Sequence, residues 1–259
     1  MNGILADKGA VIFAATGEIS AALANECLRQ GARLFLSARN ESGTQVLRQE
    51  WHEQTDRVTI SSVDATDSSA VRRYFAGLRE RGISIDLVFN GIGVRCDEGG
   101  YGSRSTELSL DRFLLPLDRI VGSQFLTATA AAEGMKQQGS GVIITLTASL
   151  ARQPMPFMAG VTAACHAIEG FSGVLRTELA PAGVRVLCVR VGGIAETRTI
   201  RETMAANAAT QGLSIEEFRR TQNSSGRIAP LTLDAVARAI AWLASDRGAG
   251  LSARVIDVG

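Results

Sequence analysis

The sequence predicts an α/β fold: a doubly wound, seven-stranded parallel sheet with helices on both faces, built as a single domain over residues 1–259. Three observations carry this. Seven short apolar, β-branched runs alternate with longer amphipathic stretches of helical period. The runs are almost continuously hydrophobic, as strands covered on both faces are. A chain of 259 residues with 46% hydrophobic and 20% charged side chains can bury one sizeable core. Strand–helix alternation of this length means βαβ units, whose ligands lie beyond the carboxyl ends of the strands.

AVIFAA (10–15) reads as the first strand, followed by a helical pattern over 18–30. RLFLS (33–37) is the second, followed by a helix over 41–54. VTISSV (58–63) is the third, and Asp67 is placed to cap a helix over 67–81. IDLVFN (85–90) is the fourth. The connection after it, residues 93–110 (GVRCDEGGYGSRSTELSL), is long and Gly-rich, and connections of that length at a strand's carboxyl end usually carry function. A helix over 118–138 leads to VIITLT (142–147), and another over 162–180 to VRVLCVRV (184–191). Residues 192–231 form a second long connection with two short helical pieces. Thr232 caps a final helix over 232–245, and RVIDV (254–258) closes the sheet. No internal repeat, linker or second domain interrupts this rhythm.

Composition narrows the function classes. A formal net charge of +1 without a basic run leaves no footprint for nucleic acid or an anionic membrane. No stretch approaches the roughly 20 uninterrupted apolar residues a membrane helix needs. The start, MNGILADKGA, has neither a basic region nor a long apolar one, so a cytoplasmic protein is expected. Cys27, Cys96, Cys165 and Cys188 form no CxxC pair, and His52 and His166 are the only imidazoles, so no metal site is expected. Cys27 and Cys188 sit in apolar runs and read as small buried hydrophobes. The expected partner is a small organic molecule.

The order of these pieces is familiar. KGAVIFAATG, GARLFLSARN, DLVFNGIG (against D-x-x-x-N-N-A-G), GSGVIITLTAS, ELAPAGVRVLCVRVGGI and the closing LTLDAVARAIAWLASDRGAGLSARVIDVG follow one another as in the short-chain dehydrogenase/reductase family, which the chain resembles from end to end. The resemblance implies a Rossmann-like domain, a nicotinamide dinucleotide and a homo-oligomer, dimer or tetramer, joined through the helices at 118–138 and 162–180. Their small residues (TATAAAEG, GVTAACHA) permit close approach.

The family's phosphate turn, T-G-x-x-x-G-x-G, falls on Phe13, Ala14, Glu18 and Ser20. In the register of members with the middle glycine one place earlier, Gly17 is kept. Glu18 has two readings. In a first helical turn it stabilises the helix by about 0.3–1 kcal/mol. Aimed at a dinucleotide, it opposes binding by roughly 3 kcal/mol at about 5 Å and an effective dielectric near 20. Arg39, Asp64 and Asn90 match the positions for the 2′-phosphate, the adenine edge and the first Asn of the N-N-A-G stretch, which together imply a pocket for NADP(H). Each also has a plain alternative: a solvated arginine, and two turn-capping side chains.

The family's catalytic Ser, Tyr, Lys and Asn fall on Ala148, Val161, Cys165 and Ile120. The chain's only tyrosines are Tyr74 and Tyr101, and its only lysines Lys8 and Lys136, so no shift of register restores a Tyr–Lys pair. Valine cannot transfer a proton. Substitute candidates are Tyr101, Thr147, Ser149 and His166, each with packing or backbone bonding as its alternative. Cys165 could act as a thiolate only with a stabilising neighbour. Asp97, Glu98, Glu196 and Arg198 lie on the two long connections, where solvated charges are usual. Three functions stay open. The first expectation is a non-redox enzyme acting on a small organic molecule, of isomerase, cyclase or dehydratase type. The others are a noncatalytic binding or partner protein, and an NADPH-dependent carbonyl reductase with a substitute acid such as Tyr101.

Overall fold

Parallel pairing joins all seven strands in the order β3-β2-β1-β4-β5-β6-β7: β1 (Gly9–Phe13), β2 (Arg33–Ala38), β3 (Val58–Ser62), β4 (Leu87–Asn90), β5 (Gly141–Ala148), β6 (Val184–Val191) and β7 (Val255–Val258). The computed structural model describes residues 3–222, 231–251 and 254–259. The connecting helices are α1 (Glu18–Arg29), α2 (Glu41–Glu50), α3 (Ser68–Glu80), α4 (Leu110–Pro116), α5 (Gly122–Gln138), α6 (Ala159–Leu179), α7 (Arg198–Thr210), α8 (Ile215–Gln222) and α9 (Leu233–Ala244). No helix among the described residues is long and apolar enough to cross a membrane.

The near-continuous hydrophobicity of the strands has a direct cause. Successive side chains of β1 enter opposite cores: Ile12 packs on one face with Leu23, Leu36 and Ile240, while Val11 and Phe13 pack on the other with Phe75, Met135 and Leu179. Both faces are dry, so neither parity can be polar. Cys27 and Cys188 are buried as expected, and burial pushes their thiols up to about 12 and about 11. Asp67 and Thr232 are the N-caps of α3 and α9. Asp67 accepts the Ser69 and Ala70 N–H groups at 2.8 and 3.1 Å, and Thr232 that of Ala235 at 3.2 Å.

One helix departs from expectation. The pattern read as starting at 118 begins eight residues earlier, as α4, and passes through a π-helical turn at Leu117–Val121 into α5. Pro116 reads as a breaker because it lacks an N–H and its ring crowds the preceding turn. Here it is the last residue of α4, where it stays in the helical region at φ −62° and ψ −36°, and a π-helical turn follows at once. The two helical pieces expected after β6 are α7 and α8, while positions 223–230 of that connection lie outside the described residues.

Two local contacts show how the ends of elements are satisfied. Arg185 on β6 donates to the carbonyls of Leu243, Ala244 and Ser245 at 2.9, 3.3 and 3.0 Å, filling acceptors that α9 leaves open at its C-terminus. Ala14, just after β1, has φ +51°, a left-handed conformation that favours glycine, and its carbonyl accepts the Gly17 N–H at 2.8 Å to close the turn. Arg185→Ala is expected to lower the unfolding free energy by about 2 kcal/mol in a urea titration, since three charge-assisted bonds disappear at once. Ala14→Gly is expected to raise it by about 0.5–1 kcal/mol, the relief of strain less the extra chain entropy of glycine. A destabilised Ala14→Gly protein would show that the turn is not strained.

Candidate functional site

β1 and β4 end side by side, with Phe13 paired to Asn90, and the chain leaves them in different directions. At such a reversal of strand order the following segments part and leave a crevice. Two cavities open there. The outer one, about 650 Å³, is lined by Arg39, Asp64, Thr66, Asp118, Arg119 and the start of α5. The inner chamber, about 560 Å³, lies between the start of α1, the Gly91–Arg95 segment, the end of β5, one face of α6 and the start of α7.

The backbone groups exposed where strands stop are capped by side chains. Ser20 Oγ donates to the Phe13 carbonyl at 3.1 Å. Asn90 donates to Ser123 and Thr127 hydroxyls at 3.2 Å each and accepts the Ile92 N–H at 2.9 Å. β4 and β5 pair only as far as Phe89–Ile144, which leaves Leu146 without a strand neighbour on that side. The Gln124 amide takes that place, donating to the Leu146 carbonyl and accepting its N–H, both at 2.9 Å. Thr147 Oγ1 donates to the Cys165 carbonyl at 3.3 Å.

Ile120, Ala148, Val161 and Cys165, which stand 45 residues apart at the extremes by their numbering, meet in the inner chamber. Its floor is aliphatic, with Leu146, Ile168, Val191 and Ile194 beside them, and among the described residues neither tyrosine nor lysine lines it. Of the four substitute candidates, only Thr147 lines it. Tyr101 is 9% exposed and packs behind the wall with Val94, Cys96, Ile120 and Cys165, out of reach of the chamber, and burial pushes its phenol up. Ser149 begins a tight turn whose carbonyl accepts the Arg152 and Gln153 N–H groups, and its side chain lies off the chamber. His166 is exposed on the outer side of α6, its Nδ1 3.0 Å from the Thr162 carbonyl. These three do not form a site. Burial also raises the Cys165 thiol, which keeps it protonated.

The cofactor candidates divide. Gly17 lines the inner chamber, and Arg39 and Asp64 the outer cavity. Asn90 is 3% exposed and spends its amide on α5 and the following loop, so it supports the crevice without lining either cavity. Gln124, Arg95 and Glu202 also line the chamber, and sequence reasoning missed them. No motif marks them. Arg95 is forked onto Asp97 at 3.1 and 3.2 Å, and Arg198 reaches Glu202 at 3.5 Å, so these charges at the mouth are paired. The Glu18 carboxylate, in contrast, meets only the Arg198 main-chain N–H among the described residues.

A dinucleotide of the NADP type meets suitable groups at both ends of this crevice. Arg39 is exposed, with no side-chain partner among the described residues. Asp64 keeps one carboxylate oxygen free among them, while the other accepts the Thr66 N–H and hydroxyl at 2.9 and 2.7 Å. The N-cap of α1, Gly17, offers no side-chain acceptor, so the first N–H groups of that helix are available to an anion. The residues fit the group, with one discordant neighbour, the Glu18 carboxylate, in the inner chamber.

The family model described as enoyl-(acyl carrier protein) reductase matches residues 14–259. The ketoacyl reductase assigned to the monensin polyketide synthase of Streptomyces virginiae is 28% identical over 96% of this chain and 94% of its own length. The ketoacyl reductase 1 assigned to the granaticin polyketide synthase of Streptomyces violaceoruber is 27% identical over 99% and 93%. Among solved structures, a single-substitution variant of the actinorhodin polyketide ketoreductase with NADPH superposes with a TM-score of 0.85 at 24% identity, over 97% of this chain and 95% of that one. With the sheet order, the crevice and a family model that runs from the first turn to the last residue, the chain belongs to the short-chain dehydrogenase/reductase family.

Proposed function

We propose that the protein is an NADP(H)-dependent carbonyl reductase acting on a small, largely apolar substrate. The observation that carries this reading is the succession of compartments along one sheet edge: Arg39 with Asp64, then the uncapped start of α1, then the aliphatic chamber. The reductase family model and the two polyketide ketoacyl reductases support redox chemistry over the isomerase, cyclase or dehydratase reaction first expected. Relatives named as inactive hydroxysteroid dehydrogenase-like proteins support the noncatalytic reading below.

In this reading the Arg39 guanidinium takes the 2′-phosphate, a task suited to its permanent charge and fork of donors. The free oxygen of Asp64 accepts from the adenine amine, and the N–H groups after Gly17 take the pyrophosphate. The cofactor supplies a hydride. The chain supplies the rest. Ile120, Leu146, Val161 and Ile168 exclude water and hold the substrate, at about 25 cal/mol per Å² of apolar surface buried. Thr147 turns its hydroxyl from the Cys165 carbonyl to the substrate oxygen. The Cys165 thiol, protonated because it is buried, gives the proton that the reduced oxygen needs and regains one from solvent. Tyr101 takes no part, being walled off. The reading includes a homo-oligomer formed through α5 and α6, supported by Phe125 and Val174, which are 49% and 56% exposed on those helices.

A second reading, a noncatalytic ligand-binding protein, is favoured by one structural observation: the Asn90, Gln124 and Thr147 side chains around the chamber are already bonded within the protein.

Calorimetric titration with NADPH and NADH decides between the two. Micromolar NADPH binding, weakened about tenfold by Arg39→Ala, is expected for the loss of a charge-assisted phosphate contact. NADPH consumption with an apolar ketone, slowed by Cys165→Ala without a change in cofactor affinity, completes the reductase case. Absence of heat and of any melting shift at millimolar cofactor would sink it and leave the noncatalytic reading. Sedimentation velocity is expected to show a dimer or tetramer that Val174→Glu dissociates, and a wild-type monomer would refute the oligomer.

A further inference from the structure

We propose that Glu18 sets the protein's affinity for dinucleotide by holding, with its own carboxylate, a position between α1 and α7 that the cofactor's phosphates must contest. The inference rests on the NADP(H) reading above. Both carboxylate oxygens of Glu18 accept the main-chain N–H of Arg198, at 3.1 and 2.9 Å. Glu18 is the first residue of α1 and Arg198 the first of α7. One carboxylate therefore stands at the positive ends of two helices, where N–H groups without intrahelical partners attract an anion.

The partners are 180 residues apart in the chain, so only the fold makes this contact. It fastens the connection after β6 across the chamber, which both residues line together with Gly17 and Thr197. The hydroxyl of Thr197 already caps the Ile200 N–H at 3.4 Å, which leaves the Arg198 N–H to Glu18. A phosphate seated at α1 meets a like charge at close range. At an effective dielectric near 20 that repulsion is worth about a hundredfold in affinity, and solvent around an exposed carboxylate reduces it to about tenfold. Glu18 then either leaves Arg198, loosening the start of α7, or keeps the phosphate out. In both cases its charge, and not its packing, governs affinity.

Two substitutions separate charge from structure. Glu18→Gln removes the charge in the same shape. Arg198→Pro removes the N–H at a helical position that tolerates proline, and Thr197 before it has φ −80° and ψ 146°, the extended conformation a following proline requires. The intact 259-residue chains are titrated with NADPH by calorimetry at low and high salt, with amide hydrogen exchange read over 199–203. Glu18→Gln is expected to tighten NADPH binding about tenfold, with the gain shrinking at high salt. Arg198→Pro is expected to tighten it several-fold, and each variant to exchange faster at the start of α7 before any cofactor is added. Equal affinity in wild type and Glu18→Gln, with Arg39→Ala still weakened, overturns the inference and leaves the cofactor reading intact. No binding by wild type or either variant overturns both. If Arg198→Pro fails to fold by circular dichroism, Glu18→Gln and its salt dependence decide alone.

Discussion

The parting of β1 and β4 is the constraint from which the rest of the molecule follows. Strands buried on both faces must satisfy every main-chain group within the sheet, and this is possible only while a neighbour runs alongside. At Phe13 and Asn90 the neighbours stop, and the chain turns away to opposite faces. The crevice is the space left behind, and its polar lining is the set of side chains that replace the missing strand. Ser20, Asn90 and Gln124 each return a bond that the ladder no longer supplies.

That substitution shapes the chemistry. Hydroxyls and amides near a pocket floor ordinarily invite catalytic roles, but here they are committed to holding β1, β4 and β5 in place. The floor left between them is aliphatic, and among the described residues Thr147, bonded to the Cys165 carbonyl, and the Cys165 thiol are the hydrogen-bearing groups beside it. The π turn at Leu117–Val121 brings Ile120, which has nothing to donate, into the chamber lining. It joins α4, which ends at Pro116, to α5, whose Gln124 bonds Leu146.

The turn after β1 shows the same separation of shape from chemistry. Ala14 keeps the left-handed backbone that glycine adopts at little cost, Ser20 fills the space against Gly91, and Glu18 lies where an uncharged residue would leave the start of α1 open. The turn leaves the first N–H groups of α1 without a side-chain cap, and one carboxylate, that of Glu18, sets the electrostatics at its mouth.

Much of the fold was legible in the amino-acid order because burial on both faces makes the strands short apolar, β-branched runs, and their regular alternation with amphipathic stretches marks βαβ units. All seven strands, the caps Asp67 and Thr232, and the convergence of positions 120, 148, 161 and 165 could be read from periodicity and from resemblance. The failures were of another kind. A helix across Pro116 was hidden because proline reads as a breaker, and that the chain stays helical through it is settled by how α4 and α5 pack. Tyr101, Ser149 and His166 were plausible by neighbourhood in the chain, yet a residue's face on a helix or loop decides whether it reaches the chamber, and all three turn away from it. Gln124 and the Glu18–Arg198 contact carried no signal at all, since each depends on which backbone groups are left unpaired. The sequence by itself determined the sheet, its covering and the absence of a Tyr–Lys pair, because these depend on residue type. Only the tertiary structure decided which polar groups are free to act, because that is settled by what the ends of the strands require.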